Sequence, residues 1–343
     1  MAEIAQKTQV IEGVAPDRIP FAELLEAGQP AILKAVARDW PLVRRGLESP
    51  QAAIAYLKQF SGPKPITVFR GAPEIGGRFF YNDTITGFNF AAQKVPLAET
   101  LDALQAQLGD ANAPSLYVGS TDIDLYLPRL RAENDLLLHG PAFEHHRPLM
   151  SIWIGNRTVA TAHFDMTHNL ACCMVGRRRF SLFPPGQVHN LYPGPLEPTP
   201  GGQVVSMVDF NAPDFERFPR FREALAAGQV AEIEPGDVLF YPAMWWHHVQ
   251  ALDSFNAMIN YWWTTSPRFV DSPQTTLLHA LISLRDRPPQ EKAAWRELFD
   301  YYVFGAAGRA AEHLPEHARG NLAPMDDTKA RRLRAFLINR LNR

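Results

Sequence analysis

A histidine and an aspartate two residues apart stand out among the side chains that could do chemistry. In residues 161–165, His163 and Asp165 are separated by a single phenylalanine. On a β-strand, residues two apart point to the same face, so an imidazole and a carboxylate would lie side by side. One more histidine would complete the two-His, one-carboxylate ligand set typical of non-haem Fe(II) oxygenases. Alone, the motif is weak, because such short motifs also occur by chance.

Two further histidines, His247 and His248, follow a pattern that can bring one of them to the same place. Residues 234–242 place a Pro-Gly turn before an apolar strand, and Trp245 and Trp246 directly precede the histidines. Alternation along a strand indicates only that the two histidines point in opposite directions, so either could be the third ligand. A packed aromatic corner with surface histidines is the competing interpretation.

Short apolar runs in the middle of the chain must position these groups. Runs rich in β-forming residues, separated by turn residues, occur at 115–118, 151–154, 170–175, 180–183, 238–241 and 257–263. Many short strands of this kind predict a sandwich or barrel. Helices are expected at 21–27, 51–60 and 97–108, and again at 275–284, 291–304 and 327–341. We therefore divide the chain into an N-terminal α/β lead-in (1–111), a β core (112–266) and a C-terminal helical region (267–343).

The run that begins at His163 continues as a longer pattern. His163-Phe-Asp-Met-Thr-His-Asn-Leu is followed by Gly176-Arg-Arg-Arg-Phe-Ser-Leu-Phe-Pro-Pro, then by the Pro235-Gly-Asp strand, the Trp-Trp-His-His block and Asn260-Tyr-Trp-Trp. This order resembles the JmjC-type, cupin-like Fe(II)/2-oxoglutarate oxygenases, and it is nearest in pattern to the asparaginyl hydroxylases that act on hypoxia-inducible factor. The resemblance implies a mainly β chain with helices, built on a double-stranded β-helix (jelly-roll) core.

The same resemblance implies which side chains hold the metal. The family places its third ligand directly after the aromatic pair, which favours His247 over His248. His163, Asp165 and His247 are then the expected catalytic residues and the ligands of Fe(II).

A cation is expected to hold the distal carboxylate of the co-substrate, 2-oxoglutarate. The family has a lysine two residues after the glycine that matches Gly176, and this chain has Arg178 there. Alternation supports Arg178 independently, because it shares a mostly apolar, inward face with Phe180 and Leu182. A buried cation needs an anionic partner, and arginine can bind a carboxylate through two hydrogen bonds.

Other positions of the family's pocket are matched by polar and aromatic side chains. The co-substrate pocket is expected to contain Tyr117, Thr161, Asn169 and Asn260 beside Arg178. Three residues before the first histidine the family has a threonine, where this chain has Ala160, with Thr158 and Thr161 nearby. Trp262 matches an aromatic of the pocket wall, and we expect it and His168 on the substrate side.

The reaction that this resemblance implies is hydroxylation, or demethylation through hydroxylation, of an unidentified substrate with release of succinate and CO₂. O₂ is the second co-substrate. The departures at Arg178 and Ala160 leave two alternatives open. One is a metal-binding cupin without oxygenase activity, such as a small-molecule-binding or regulatory module. The other is a cupin enzyme of a different class, such as an isomerase that uses zinc or manganese.

Composition narrows the partners and the compartment. A formal net charge of −2 over 343 residues disfavours nucleic acid, so the primary substrate is expected to be a protein side chain or a small molecule. The sequence shows no signal-like or membrane-spanning run, and the adjacent Cys172 and Cys173 disfavour a disulfide, so a cytoplasmic protein is expected. The apolar residues of 275–284 and 327–341 predict helices that need an apolar partner, either the flank of the β core or a second copy of the chain. The resembling asparaginyl hydroxylases pair through their C-terminal helices, and this resemblance implies a homodimer.

Overall fold

Two β-sheets dominate the first part of the chain in the computed structural model, which describes residues 3–306 and 308–342. The chain divides into two units, Met1–Thr265 and Ser266–Arg343. The strands, all in the first unit, are β1 (Gln6–Lys7), β2 (Gln9–Ile11), β3 (Ala31–Leu33), β4 (Ile66–Gly71), β5 (Arg78–Phe79), β6 (Phe90–Val95), β7 (Ser115–Asp122), β8 (Leu149–Gly155), β9 (Val159–Phe164), β10 (His168–Val175), β11 (Arg178–Phe183), β12 (Gln229–Ile233), β13 (Val238–Tyr241), β14 (Trp246–Ala251) and β15 (Asn256–Trp263). Six strands form the minor sheet, in the order β1-β12-β11-β14-β9-β5. Nine form the major sheet, in the order β2-β3-β13-β10-β15-β8-β7-β4-β6.

Alternate side chains of both sheets fill the layer between them. Phe180 and Leu182 of β11 in the minor sheet share one buried cluster with Leu239, Tyr241 and Met258 of the major sheet. Residues two apart on a strand share a face, which is why this periodicity builds a layer. Removing apolar surface from water stabilises the layer by about 25 cal/mol per Å². The predicted fold class, a mainly β chain with helices and a double-stranded β-helix core, is confirmed.

Helices of the first unit cover the outer face of the major sheet. They are α1 (Phe21–Ala27), α2 (Pro41–Glu48), α3 (Pro50–Lys58), α4 (Leu97–Ala106), α5 (Ile123–Tyr126) and α6 (Pro128–Arg131), and a further helix, α7 (Phe221–Ala227), lies in the segment between β11 and β12. Leu42, Ile54 and Leu101 are fully buried in the cluster that α2, α3 and α4 share with the major sheet. Helix α3 begins at Pro50, because the Ser49 hydroxyl accepts a hydrogen bond from the Ala52 amide and proline suits a first helical position.

The second unit is helical, as the sequence predicts. Its helices are α8 (Pro273–Ser283), α9 (Pro289–Phe299), which continues into a π-helical turn (Asp300–Phe304), and α10 (Asp327–Leu341). The carboxylate of Asp326 accepts from the amides of Thr328 and Lys329 at the start of α10. An ion pair of 2.8 Å joins Arg334 of α10 to Asp271. Within the described residues, no helix combines the length and apolarity that crossing a bilayer requires.

Candidate metal centre and its cavity

Neighbouring strands of the minor sheet bring the three predicted ligands together. His163 on β9 and His247 on β14 are register partners in an antiparallel pair, and their ring centroids lie 4.3 Å apart. Asp165 follows directly after β9. One ligand atom from each of the three residues lies within 4.8 Å of the other two. Two imidazoles and a carboxylate so placed could bind one metal ion.

Backbone carbonyl groups orient both imidazole rings. Nδ1 of His163 lies 2.8 Å from the carbonyl oxygen of Thr161, and Nδ1 of His247 lies 3.1 Å from that of Trp245. Because a carbonyl oxygen only accepts, Nδ1 carries the proton in each ring and Nε2 keeps a free lone pair. Burial, together with the neighbouring His163, lowers the pKa of His247 to about 4. His247 is therefore neutral at neutral pH, as metal binding requires.

A relay of polar side chains holds the carboxylate of Asp165. Asn169 Nδ2 and Trp262 Nε1 donate to Asp165 Oδ2 over 3.1 and 3.2 Å. Asn260 in turn donates to Asn169 Oδ1 over 3.2 Å, and Trp153 Nε1 donates to Asn260 Oδ1 over 2.7 Å. The carboxylate is thus fixed by side chains of the major sheet, although it belongs to the segment after a strand of the minor sheet. Fixed supports of this kind raise the affinity of a metal site.

A cavity of about 470 Å³ extends from the three residues into the layer between the sheets. Arg178 lines this cavity, is only 3% exposed, and its Nε finds no hydrogen-bond partner in the described chain. No carboxylate of the described residues acts on Arg178, and burial lowers the pKa of its guanidinium. An uncompensated buried cation is unfavourable. This cavity is therefore suited to an anionic ligand.

The other predicted pocket residues are distributed unevenly around this cavity. Tyr117, Asn260 and Trp262 line it, and burial raises the pKa of the Tyr117 hydroxyl. Asn169 lies behind Asp165 instead of at the cavity surface. Thr161 lines an adjoining cavity, and its hydroxyl is buried without a hydrogen-bond partner among the described residues.

His168 and His248 both lie away from the cavity. Nδ1 of His168 accepts from the backbone amide of Ala243 over 3.2 Å, so this ring supports the turn that leads to His247. His248 points to the opposite face of β14, where its ring stacks on Phe210 at 4.4 Å. Burial lowers the pKa of His248 to about 3, and neither ring nitrogen has a partner within the part of the chain that is described.

Several residues of the cavity were not predicted from the sequence. Trp153 lies on β8, His146 and Arg147 lie in the loop before β8, and Gly201 and Gln203 come from the loop after β11. The loop residues among them lie in segments that have no periodic apolar pattern, so alternation could not predict that they line the cavity. Of these five residues, Trp153 alone lies on a predicted strand.

Comparisons with known proteins agree with this architecture. A sequence model of the family described as "Cupin-like domain" matches residues 16–269. HSPB1-associated protein 1 of Homo sapiens is 38% identical over 114 residues, which are 33% of this chain and 23% of that protein. Lysine-specific demethylase 8 of Xenopus tropicalis is 26% identical over 243 residues, which are 69% of this chain and 48% of that protein. JmjC domain-containing protein D of Dictyostelium discoideum is 25% identical over 249 residues, 67% of this chain and 50% of that protein. The matches thus span half or less of these relatives.

We expect Asn169→Leu to weaken metal binding by about 10- to 100-fold, because Asp165 loses a donor that fixes its carboxylate. Anaerobic calorimetric titration with Fe(II) or Mn(II) measures the change. Asn211→Leu is the matched control, since Asn211 is exposed and its side chain accepts a hydrogen bond from the Gln250 side chain, away from the relay. Equal affinities of the two variants would show that the relay does not support the site.

Proposed function

The chain belongs to the cupin-like, JmjC-type family, and on that premise we propose that it is an Fe(II)- and 2-oxoglutarate-dependent oxygenase. It would hydroxylate its substrate, or demethylate it through hydroxylation. The observation that carries the proposal is the buried, unpaired Arg178 in the same cavity as His163, Asp165 and His247. A metal-binding set and an uncompensated cation in one cavity fit a ligand that chelates a metal at one end and carries a carboxylate at the other.

His163, Asp165 and His247 would hold the iron through Nε2, a carboxylate oxygen and Nε2. The donor set fits Fe(II), because two neutral imidazoles and one carboxylate leave coordination positions open. When bound, the iron and 2-oxoglutarate supply oxygen activation for attack on a substrate C–H bond, with succinate and CO₂ as products. The protein's part is to orient the ligands: carbonyl groups fix both rings, and Asn169 and Trp262 fix the carboxylate.

The inner end of the cavity is suited to the distal carboxylate of 2-oxoglutarate. Arg178 would bind it through charged hydrogen bonds, and the Tyr117 hydroxyl would donate to it. Phe180, Val249 and Met258 line the same region and would exclude water. In a dry pocket the attraction between opposite charges is stronger than in solvent. Asn169, by contrast, would act through Asp165 and not on the co-substrate.

We propose that the primary substrate is a protein side chain or a small molecule, and that it binds at the open end of the cavity beside Trp262. Nucleic acid is disfavoured by the net charge of −2. The prediction that the chain is more similar to asparaginyl hydroxylases than to other members of the family stays a prediction. The free thiols of Cys172 and Cys173 suit a reducing compartment, and we propose the cytoplasm.

A homodimer through the C-terminal helices is part of the proposal. Helices α8, α9 and α10 contain no buried residue. Large apolar side chains of this unit are strongly exposed, among them Ile282 at 85%, Phe304 at 74% and Phe336 at 54%. Exposed apolar surface of this extent marks an interaction site. A second copy of the same helices would cover it with two-fold symmetry.

Replacing His163, Asp165 or His247 by alanine should abolish Fe(II) binding and the iron-dependent conversion of 2-oxoglutarate to succinate. Anaerobic iron titration and NMR detection of succinate measure both effects. The control is His248→Phe, which keeps the stacking on Phe210 and should keep the iron. Wild-type iron affinity in the His247 variant would contradict the ligand assignment. Wild-type protein that binds iron but forms no succinate would favour the metal-binding cupin without oxygenase activity.

Arg178→Ala should raise the apparent KM for 2-oxoglutarate by about 30-fold or more, because losing one partner of a buried charged pair costs about 2–5 kcal/mol. Arg178→Lys should restore part of the loss. Arg179→Ala is the control, since Arg179 lies 3.8 Å from Glu232 and does not line the cavity. Steady-state succinate formation measures these values, and an unchanged KM in Arg178→Ala would assign the carboxylate to another cation.

Ile282→Asp combined with Phe336→Asp should convert the dimer to a monomer, because each copy would carry charges into the apolar contact. Multi-angle light scattering of the full chain at micromolar concentration measures the mass. Leu137→Asp is the control, since Leu137 is 74% exposed on the first unit. Wild-type protein with the mass of one chain would refute the dimer.

A further inference from the structure

A second cavity, of about 400 Å³, adjoins the metal centre at His163 but does not reach Arg178. Its walls are mostly apolar and include five aromatic rings, so we call it the aromatic pocket; the rings are those of Phe69, Phe79, Phe90, Tyr117 and Trp153. Cavities of about 300–1,000 Å³ with apolar walls are typical ligand sites. Tyr117, which we propose donates to 2-oxoglutarate, and the candidate ligand His163 line both cavities, whereas Thr67, Phe69, Phe79 and Phe90 line only the second.

The aromatic pocket lies where the two sheets end. Phe79 is on β5, the last strand of the minor sheet, and Phe90 is on β6, the last strand of the major sheet. Phe69 on β4 meets Phe90 edge to face, with centroids 5.3 Å apart, and Phe79 meets Phe90 at the same distance. Residues 200–203 of the loop after β11 add a further wall. The fold thus builds an aromatic-lined opening between the two sheet edges.

Three rings of this pocket lie outside the buried core. Phe69, Phe90 and Tyr117 are only half-buried. None of the three belongs to a buried cluster in the described part of the chain. Their faces therefore border the cavity and leave apolar surface that an occupant could cover.

The residues that line the aromatic pocket also disfavour a charged occupant. It contains no lysine, arginine, aspartate or glutamate among the described residues, whereas the neighbouring cavity contains Arg147, Arg178 and Asp165. Moving an ionised group out of water without a counter-charge is strongly unfavourable. Attraction between a cation and aromatic rings offsets only part of that loss. An uncharged apolar group fits these walls better than a charged one.

We propose that the aromatic pocket binds an uncharged apolar group of the primary substrate, of the size of a phenyl ring or a branched aliphatic side chain. Its position as a substrate subsite rests on the proposed function. The two cavities share a wall that includes Tyr117, Trp153, Ala160 and His163, so a group held in the aromatic pocket would lie beside the metal position, while Arg178 lines only the first cavity. The substrate is therefore one that carries an apolar group close to its reacting carbon.

Saturation-transfer NMR with three small probes tests the pocket and needs no bound metal. The probes are N-acetylphenylalaninamide, which is neutral, N-acetyllysinamide, which is cationic, and N-acetylaspartamide, which is anionic. The wild-type protein should saturate the phenyl protons at least about three-fold more than the side-chain protons of either charged probe. Equal saturation of a charged probe, or none of the phenyl probe, would overturn the inference.

Two variants then locate the bound probe. Thr67→Trp places a large side chain in the aromatic pocket, and Phe90→Ala removes one wall; neither residue lines the cavity of Arg178. Each should lower phenyl saturation at least about three-fold. Phe80→Ala is the matched control, because Phe80 is half-buried next to Phe79 but packs on Arg78 outside both cavities. Phenyl saturation that survives both variants would place the probe elsewhere and overturn the proposal.

A parallel titration separates this inference from the proposed function. Calorimetry of wild-type protein loaded with Mn(II) measures the binding of 2-oxoglutarate. Binding of 2-oxoglutarate without phenyl binding in the pocket refutes the aromatic pocket alone. Phenyl binding in the pocket without 2-oxoglutarate binding refutes the proposed oxygenase, while the apolar specificity of the pocket stands.

Discussion

The strand register of the jelly roll is the constraint on which the site depends. Pairing of β9 with β14 sets His163 opposite His247, and pairing of β10 with β15 sets Asn169 opposite Trp262. A slip of one residue in either pair would turn these side chains to the other face. The buried layer between the sheets opposes such a slip, because Val249 of β14 and Ala171 of β10 would have to leave it. Apolar packing thus fixes the positions of polar groups that have little packing energy of their own.

The polar groups around the cavity fall into two classes, those whose hydrogen bonds are formed within the protein and those with a donor left unused. The relay runs from Trp153 through Asn260 and Asn169 to Asp165, and a hydrogen bond forms each of its links. Arg178, by contrast, is buried with an unused donor. A satisfied buried network supports structure, whereas an unsatisfied buried ion is costly unless a ligand completes it. The first class fixes the candidate metal ligand Asp165, and the second fits the carboxylate that we propose binds at Arg178.

Periodicity predicted the elements well and the partners of individual side chains poorly. Alternation placed Arg178 on the inward face, and the strand at 238–241 and the helix at 327–341 have the bounds expected. Alternation could not choose between His247 and His248, because it indicates only that they point in opposite directions. In the structure the pairing of β14 with β9 sets His247 opposite His163. The partner of Asn169 and the aromatic pocket depend on contacts between distant strands and on sheet edges, which have no local pattern. Helix α2 was missed because its eight residues include a glycine and few apolar side chains.

Under the proposed function, the two departures from the family pattern compensate one another. The family's lysine offers three donors on a flexible stem, whereas Arg178 offers five in a planar fork. A guanidinium can therefore supply the hydrogen bond that the family's threonine hydroxyl would give and that Ala160 cannot. Ala160 also lines both cavities, so its small side chain leaves room between the carboxylate site and the aromatic pocket. A threonine at position 160 would reduce the space beside His163, because residue 160 lines both cavities.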